Sequence, residues 1–393
     1  MIAVDTSSQM TPSVQPQAYA PETFDGSGVL RTEDLRELLE LGAMAPSGGN
    51  VQPWRARATS SSVELFLDPS RANSLIDVNR CASLVALGSF TENVTIAANR
   101  LGLVHDVAIQ DEEDPAQLIV RFSFRGRTSP SKADPLHPCI RTRCTNRHSH
   151  RGDPIPPHQI GELGAVVSSL DGGHRASFVS TEADRRAAAR LLGRADRLRM
   201  LNRELHDQMF SELRWTAEAA DASRDGIDAR TLELPTPVLL VLKLMRSYFF
   251  VSRFFPKLLL DLLSRKLILQ SSHICVLALP GPLENPCHSS FITAGRVLQR
   301  LWLTAEHLRL GVQPWAVLPF FLLRAVYANG VGFSASEREE VLSLGEELRA
   351  LFGVPTHLVP YFILRLSNAP APSVRARRLD WRSFTEFVGD RTD

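Results

Sequence analysis

The stretch LGAMAPSGGNVQPW, residues 41–54, joins a predicted helix to an unusual loop. Leucines recur at helical spacing over 35–41, and the run ends in Pro46-Ser47-Gly48-Gly49-Asn50. The glycines leave backbone amides open to a ligand, whereas the prolines stiffen the loop. A helix C-terminus needs only Gly or Asn. The additional Gln52-Pro53-Trp54 therefore favours a binding site over a simple turn.

The composition describes a globular protein of 393 residues with 44% hydrophobic and 22% charged side chains. The formal net charge of +1 gives no overall field that would recruit nucleic acid or an acidic membrane. Its basic clusters also lack the interleaved aromatic residues of single-strand nucleic-acid binders. Five cysteines without a Cys-x-x-Cys pair predict a reducing compartment, and we expect a cytoplasmic protein. Residues 1–28 predict a flexible tail rather than a secretory signal.

Hydrophobic periodicity predicts alternating helices and strands after the tail. The predicted helices cover 32–41, 81–103, 159–170, 182–206 and 294–310, and the predicted strands cover 62–68, 116–124, 176–180 and 273–281. A Pro- and Ser-rich stretch, 125–138, reads as a linker between halves at 29–136 and 137–393. The segments TIAANRLG (95–102) and TAEHLRLG (304–311) share Thr-x5-Leu-Gly. This echo is weak evidence that the halves are related.

Residues 207–270 form an insertion whose second part, 238–270, is apolar but carries a charged residue every few positions. A spanning helix needs about 20 nearly uncharged residues, so we expect no transmembrane segment here. A lid or a pair of interface helices is the favoured interpretation. Peripheral contact with a membrane surface stays open as an alternative.

Two other motifs have ordinary explanations. Four residues could be zinc ligands, but the arginines between them disfavour a dication; these are Cys139, Cys144, His148 and His150. GVGFSA (330–335) fits a dinucleotide fingerprint, yet Ser336 and Glu339 explain it as a capping box that opens a helix. The sequence contains no GxxxxGK[ST], HExxH or GxSxG motif.

Two arginine clusters carry the remaining chemistry. They comprise Arg141, Arg143, Arg147 and Arg151 before a predicted helix, and Arg375, Arg377 and Arg378 near the C-terminus. Guanidinium groups grip phosphate through paired hydrogen bonds. Solvated surface charge is the competing interpretation.

Four segments resemble motifs of the nitroreductase family of FMN-dependent oxidoreductases. They are APSGGNVQPWRA, IRTRCTNRHSHRGDPIPPHQI, AGRVLQRLWLTAEHLRLG and PSVRARRLDW, and with their surroundings they cover most of 29–382 except 207–270. Ordinary members are homodimers in which one subunit supplies the loop and the other the arginines for each FMN. Here the loop and the arginine motif lie in different halves of one chain.

The resemblance therefore implies a single-chain pseudo-dimer similar to the Acg-type flavin-binding branch. Its fold would be α+β, with two related α/β halves fused in one chain and central antiparallel or mixed sheets wrapped by helices. One flavin site would be complete and the other degenerate. Such a fused protein would be a monomer or a homodimer.

The resemblance also implies a set of FMN contacts: the arginines would hold the phosphate and ribityl region, and the loop would line the isoalloxazine. The full set is Pro46, Ser47, Gly48, Asn50, Gln52, Arg141, Arg143, Thr145, Arg147, Gly311, Val312, Gln313, Arg377 and Arg378. Trp215 and Trp315 would belong to a lid or substrate wall. Because the flavin N5 carries the chemistry, we expect no catalytic acid or base and no metal.

The function implied is an FMN-dependent oxidoreductase that transfers electrons between NAD(P)H, or an organic donor, and a small organic substrate. If residues 207–270 block nicotinamide, the protein would instead bind or sequester flavin with little turnover. A tailoring dehydrogenase in a biosynthetic pathway is the third possibility.

Overall fold

The computed structural model describes residues 29–110, 118–129, 134–148, 154–170, 172–254 and 265–388. The helices are α1 Thr32–Ala43, α2 Cys81–Arg100, α3 His137–Thr142, α4 Pro157–Ser169, α5 Glu182–Leu201, α6 Arg203–Ser211, α7 Ala217–Ser223, α8 Thr236–Met245, α9 Tyr248–Phe254, α10 His288–His307, α11 Val317–Val326 and α12 Ala335–Phe352. The strands are β1 Trp54–Ala58, β2 Ser62–Leu67, β3 Leu103–Ile109, β4 Leu118–Arg127, β5 Arg175–Val179, β6 Leu213–Arg214, β7 Ile227–Asp228, β8 His273–Pro280, β9 Gly311–Pro314, β10 Leu358–Ser367 and β11 Thr385–Phe387. Helices and sheets are both present in quantity, which confirms the predicted α+β class.

The first sheet combines strands from both ends of the chain. Its order is β11-β1-β2-β4-β3. Neighbours from β1 to β3 are antiparallel, whereas β11 adds to β1 in parallel, with Ala56 opposite Thr385. The C-terminal segment therefore leaves β10 at Ser367, passes the 44–54 loop and ends in the sheet of the first half.

The second sheet is antiparallel, in the order β5-β8-β10-β9. Strand β8 is apolar without interruption because both of its faces are covered. Cys275, Leu277 and Leu279 face the core that holds α2 and α10, and alternate residues such as Val276 join a second core with helices α5 and α12. The first of these cores also contains β1, β2 and β4. One continuous core thus links the predicted halves.

Helices α2 and α10 pack against each other at the centre of the molecule. A Cβ atom added to Gly88 would overlap the carbonyl oxygen of Ile292, and one added to Gly295 would overlap that of Val85. The two backbones therefore touch, as only glycine permits. The helices that end in the two Thr-x5-Leu-Gly segments are the two that make this contact.

Buried polar groups connect the same two helices. The Glu92 carboxylate, fully buried, accepts from Arg296 Nε at 2.9 Å and lies 2.5 Å from Arg300 Nη2. Asn93 Oδ1 accepts from Gln299 Nε2 at 2.7 Å. The stability of a buried carboxylate depends strongly on the position of its guanidinium partners. These bonds therefore fix the register of α2 on α10.

Two predictions of local structure were wrong. The helix predicted over 182–206 is two helices, because the backbone at Asn202 is extended and its Oδ1 accepts from Leu205 N to cap α6. The capping box belongs to Ser334 and Glu337 rather than to Ser336 and Glu339. GVGFSA follows a helix, α11, and not the strand that a dinucleotide fingerprint requires, which agrees with the interpretation of this segment as the start of a helix.

The predicted linker is also shorter than expected, since β4 continues to Arg127 and α3 begins at His137. The tail 1–28 lies outside the described residues. The division at 136/137 stays a prediction, because the two halves share their core.

One described helical stretch, Val78–Arg100, is long and apolar enough to cross a membrane, but 89% of its apolar window is buried inside the protein. It contains α2, the core helix. In the insertion, α8 has 10 residues and the described part of α9 has 7.

Gly88→Ala is expected to lower the free energy of unfolding by about 2–3 kcal/mol, because the new methyl group meets backbone and cannot rotate away. Gly161→Ala in α4 is the matched control, since a Cβ there meets nothing within 4 Å. It should raise stability by up to about 1 kcal/mol. Urea unfolding followed by circular dichroism measures both, and equal effects would contradict the close helix contact.

Candidate functional site

The loop after α1 has an unusual backbone. It contains a single turn of 3-10 helix at Gly48–Asn50, and φ is +59° at Gly49, +55° at Asn50 and +54° at Gln52. Left-handed backbone at Asn and Gln is uncommon and costs free energy. Ser47 Oγ stabilises the turn by accepting from Gln52 N at 2.9 Å. Such a shape persists only where other contacts hold it.

Asn50 supplies some of those contacts by connecting the loop to two distant segments. Its Nδ2 donates to the carbonyl oxygens of Gly226 at 3.0 Å and Arg377 at 3.1 Å, and its Oδ1 accepts from Arg378 Nη1 at 2.9 Å. The insertion, the C-terminal tail and the loop meet at this carboxamide.

Gln52 repeats the same arrangement. Its Oε1 accepts from Leu379 N at 2.9 Å, and its Nε2 donates to Arg224 O at 2.9 Å. Both carboxamides are thus fully used by backbone partners and one guanidinium. In this structure Asn50 and Gln52 hold three segments together, and the ring contacts that the resemblance implies for them stay a prediction.

The arginine motif of the second half follows α3 as an extended segment, 143–148. Asn146 fixes it to strand β9, since Asn146 N donates to Val312 O at 2.8 Å. Asn146 Nδ2 also donates to Pro370 O at 2.7 Å. A Cβ added to Gly311 would lie 2.9 Å from Asn146 Nδ2. The predicted residues Gly311 and Val312 therefore adjoin the arginine motif.

The predicted arginines divide into two groups by their partners. Arg141 is exposed, and its Nη2 lies 3.9 Å from Glu40. Arg377 is exposed and forms an ion pair with Asp221 at 2.5 Å. These two have acidic partners, as solvated surface charges commonly do.

Three arginines form the second group: Arg143, Arg147 and Arg378. No carboxylate among the described residues lies within ion-pair distance of any of them. Arg143 Nη2 donates to Met44 O at 2.7 Å and its guanidinium stacks on Trp302 at 4.6 Å. Arg147 Nη1 donates to Thr231 O at 3.2 Å. Their hydrogen-bond partners are neutral, and the opposing charge that acts on Arg143, from Glu306, lies beyond ion-pair distance. We call Arg143, Arg147 and Arg378 the cation cluster.

Burial lowers the pKa of every member of the cation cluster: to about 10 for Arg143, about 10 for Arg147 and about 9 for Arg378. For Arg378 the charge of Arg143 lowers the pKa further. The two guanidinium groups therefore repel each other across a poorly solvated space. All three remain protonated at neutral pH.

The cation cluster has the properties of an anion site. Arg143 Nε and Arg378 Nε are buried and lack a hydrogen-bond partner among the described residues. Buried unpaired charges are costly, and an anion that accepts from guanidinium groups removes both the repulsion and the missing bonds. A phosphate group fits these donors by charge and by geometry.

The other predicted residues are more scattered. Pro46 and Ser47 are half-buried and Gly48 is exposed, with nothing within 4 Å of an added Cβ. Thr145 is half-buried. Gln313 is buried, and its Oε1 has no donor among the described residues.

The two tryptophans lie in separate clusters. Trp315 packs in the second core, near Leu318 and Ile268. Trp215 stacks on Phe210 within the insertion, at 6.3 Å between ring centroids. Their role as lid or substrate wall stays a prediction.

The cysteine–histidine segment has no metal geometry in the part of the chain that is described. Cys139 is buried in the first core, Cys144 is half-buried, and His148 Nε2 lies 3.8 Å from Glu233. His150 and Arg151 lie outside the described residues.

A cavity of about 330 Å³ adjoins the 44–54 loop. Its lining includes Gly49, Glu212, Arg214 and Asp225. Unlike the cation cluster, its charges compensate each other: Asp225 accepts from Arg214 Nη2 at 2.7 Å and from Arg71 Nη1 at 3.0 Å. Burial raises the pKa of Glu212, against the opposing charges of Arg199 and Arg214. This cavity is polar but electrically balanced.

Sequence reasoning missed the part that the insertion plays. Arg224 and Gly226 bond to the loop, and Thr231 bonds to Arg147. The Asp225-Gly226 pair was a visible turn signal, and φ is +72° at Gly226. Its long-range partners had no local signal. Trp302, which stacks on Arg143, was one of several apolar residues in a predicted helix.

No family model matches the sequence. The uncharacterized protein MT1398 of Mycobacterium tuberculosis (strain CDC 1551 / Oshkosh) is 32% identical over 347 residues, which cover 85% of this chain and 46% of the relative. The chain thus spans just under half the length of the curated relative it matches.

The comparison with solved structures aligns the chain with two nitroreductases at low TM-scores. The FMN-dependent nitroreductase NfnB of Mycobacterium smegmatis, solved with NADPH, aligns at 16% identity and a TM-score of 0.36 over 65% of this chain and 98% of its own. A nitroreductase of Desulfitobacterium hafniense DCB-2, solved with FMN, aligns at 11% identity and a TM-score of 0.33 over 63% and 95%. These belong to the family that the sequence motifs resemble.

Sulfate is expected to raise the melting temperature of the protein by about 2 °C or more, because it relieves repulsion within the cation cluster. Arg378→Gln should lose most of this increment. Arg377→Gln, the matched control, should keep it because Arg377 already pairs with Asp221. Thermal melts at equal ionic strength in sulfate and chloride measure the difference. Equal increments in the two variants would contradict an anion site at Arg378.

Proposed function

We propose that this protein is an FMN-binding oxidoreductase of the nitroreductase type. The observation that carries the proposal is the cation cluster, in which no described carboxylate lies within ion-pair distance of a guanidinium group. Arg143 is buried and donates to Met44 O, and Arg378 is half-buried and donates to Asn50 Oδ1, so both lie beside the 44–54 loop. Arg147, also half-buried, belongs to the same arginine motif as Arg143. The resemblance of that loop and of the arginine motif to nitroreductase motifs supports the choice of FMN among phosphate-bearing ligands. The FMN- and NADPH-bound states named for the two solved neighbours are consistent with it.

In this proposal Arg143 and Arg378 hold the phosphate, with Arg147 adding positive charge. The buried Nε atoms of Arg143 and Arg378 would donate to phosphate oxygens. Arg141 and Arg377 stay with their acidic partners and form the outer edge. In this proposal, fewer arginines hold the phosphate than the five that the motifs predict.

We propose that the loop faces the flavin ring with its backbone. Gly48 leaves open space, and Pro46 and Ser47 shape the approach to it. Asn50 and Gln52 act indirectly by keeping the left-handed backbone in place. The Oε1 of Gln313, which has no donor among the residues that the structure describes, would accept an N–H of the ligand. Thr145, Gly311 and Val312 complete that wall.

Bound FMN would supply electron transfer at N5 between NAD(P)H, or an organic donor, and a small organic substrate. The chain's own residues bind and orient the cofactor and exclude water. The electrically balanced cavity of about 330 Å³ beside Gly49 offers space for a small molecule.

The positions of the site residues along the chain support a fused pair of halves. The loop comes from 29–136 and the cation cluster from 137–393, so one chain supplies both sides of the site. Because this interface is internal, a monomer would suffice for function. We also propose a cytoplasmic location, in keeping with five cysteines that are all free thiols.

A second candidate function is flavin binding with little turnover. Residues 221–233 of the insertion bond to Asn50, Gln52, Arg147 and Arg377. We call this segment the latch. Because it uses polar groups of the proposed site, it supports a closed arrangement in which nicotinamide has little access.

The test is a visible absorbance spectrum of the purified protein, with the released cofactor identified by mass. The proposal predicts bound FMN, with much less in Arg378→Gln than in Arg377→Gln. A colourless wild-type protein that binds no added FMN would contradict the proposal.

Anaerobic reduction then separates the two candidates. Bleaching by NADPH identifies a working reductase. Bleaching by dithionite alone favours the flavin-binding protein with a closed latch, or an organic electron donor. Arg377→Ala, which breaks the ion pair with Asp221 of the latch, should speed NADPH bleaching only if the latch limits access.

A further inference from the structure

Helices α8 and α9 present an exposed apolar surface. Of the nine large hydrophobic side chains exposed in the described part of the chain, six lie here: Val238, Leu240, Val241, Leu244, Phe249 and Phe254. Phe249 is 68% exposed and Leu244 is 57% exposed. Contiguous apolar patches of this kind mark interaction sites. We call this region the α8–α9 surface.

The two helices separate an inner from an outer face. Met245 and Val251 are buried against Phe210, and Tyr248 Oη donates to Leu201 O at 2.6 Å. The outward side chains of α8 follow helical spacing from Leu240 to Leu244. The α8–α9 surface is therefore a helix face anchored to α5 and α6, with its apolar side turned to solvent.

The charge of this surface has one sign. Residues 236–254 contain Lys243, Arg246 and Arg253 and no Asp or Glu. All three cations are exposed. None of the salt bridges found among the described residues involves them. The surface therefore combines exposed apolar side chains with an uncompensated positive charge.

We propose that the α8–α9 surface docks on a lipid bilayer that contains anionic headgroups. Phe249, Phe254 and Leu244 would enter the boundary between headgroups and acyl chains, while the cations contact lipid phosphates. A second copy of this chain is a poorer occupant, because a two-fold interface would bring six like charges together, with no acidic residue in 236–254 to pair with them. The docking is peripheral, and it is independent of FMN.

Sedimentation with vesicles tests the proposal on the full chain. Vesicles of equal parts phosphatidylcholine and phosphatidylglycerol should bind the protein, and vesicles of phosphatidylcholine alone should bind it far less. Binding should weaken as salt rises. Absence of any preference for the anionic vesicles would overturn the proposal.

Two sets of variants locate the contact. Reversing Lys243, Arg246 and Arg253 to Glu should lower the partition coefficient by about 100-fold, whereas reversing the exposed Arg100, Arg175 and Arg190 should lower it much less. Leu244→Ser with Phe249→Ser should also abolish binding. Val104→Ser with Val331→Ser, at exposed apolar sites elsewhere, is the control. Patch variants that bind like the wild type would refute the assignment.

Fluorescence quenching by brominated lipids provides a measurement on the wild-type chain. Trp215 lies beside this surface, with Lys243 Nζ 5.9 Å from its ring. Vesicles with brominated acyl chains should quench its emission, and Trp215→Phe should lose that component. If the protein instead forms dimers that the same patch substitutions dissociate, and no quenching occurs, the occupant is a second copy and the membrane proposal is wrong.

Discussion

The close contact between helices α2 and α10 at Gly88 and Gly295 is the constraint on which the rest of the structure depends. Because each glycine touches the backbone of the other helix, neither helix tolerates a side chain at the crossing. The buried Glu92 carboxylate, with Arg296 and Arg300 around it, then fixes the rotation and register. A single core extends from the first sheet, across this pair, to the second sheet.

That helix pair also brings the site together. The Arg143 guanidinium stacks on the ring of Trp302 in α10, and Arg143 also donates to Met44 O just beyond the end of α1. Strand β9, which follows α10, bonds to the arginine motif through Asn146 and Val312. The C-terminal tail passes between them and supplies Arg378 before β11 joins the first sheet. Loop, motif and tail are distant in sequence and meet because the central helices fix both halves.

The local features of the fold were readable from the sequence. Period-two and period-3.6 patterns located four of the eleven described strands, β2, β4, β5 and β8, since such patterns reflect which faces are buried. The same patterns located helices α1, α2, α4, α5 and α10. The 182–206 break was missed because one asparagine cap outweighed a continuous helical pattern. The loop and the arginine clusters were found because glycine, proline and arginine have specific chemistry that few other residues share.

The partners of those residues were not readable. Nothing local shows that Arg141 and Arg377 would pair with acids while Arg143 and Arg378 would not. That distinction depends on contacts between residues far apart in the chain. The engagement of Asn50 and Gln52 by the latch has the same origin. Burial of charge, rather than the presence of arginine, identifies the candidate site.

We propose above all that the guanidinium groups of Arg143 and Arg378 anchor the phosphate of a flavin nucleotide. The most direct measurement compares the dissociation constants of FMN and riboflavin for the cofactor-free protein by calorimetry. The account predicts that FMN binds at least 100-fold more tightly, roughly the 3 kcal/mol expected of charge-assisted phosphate bonds. Equal affinity for FMN and riboflavin would contradict it, because the phosphate would then contribute nothing at the cation cluster.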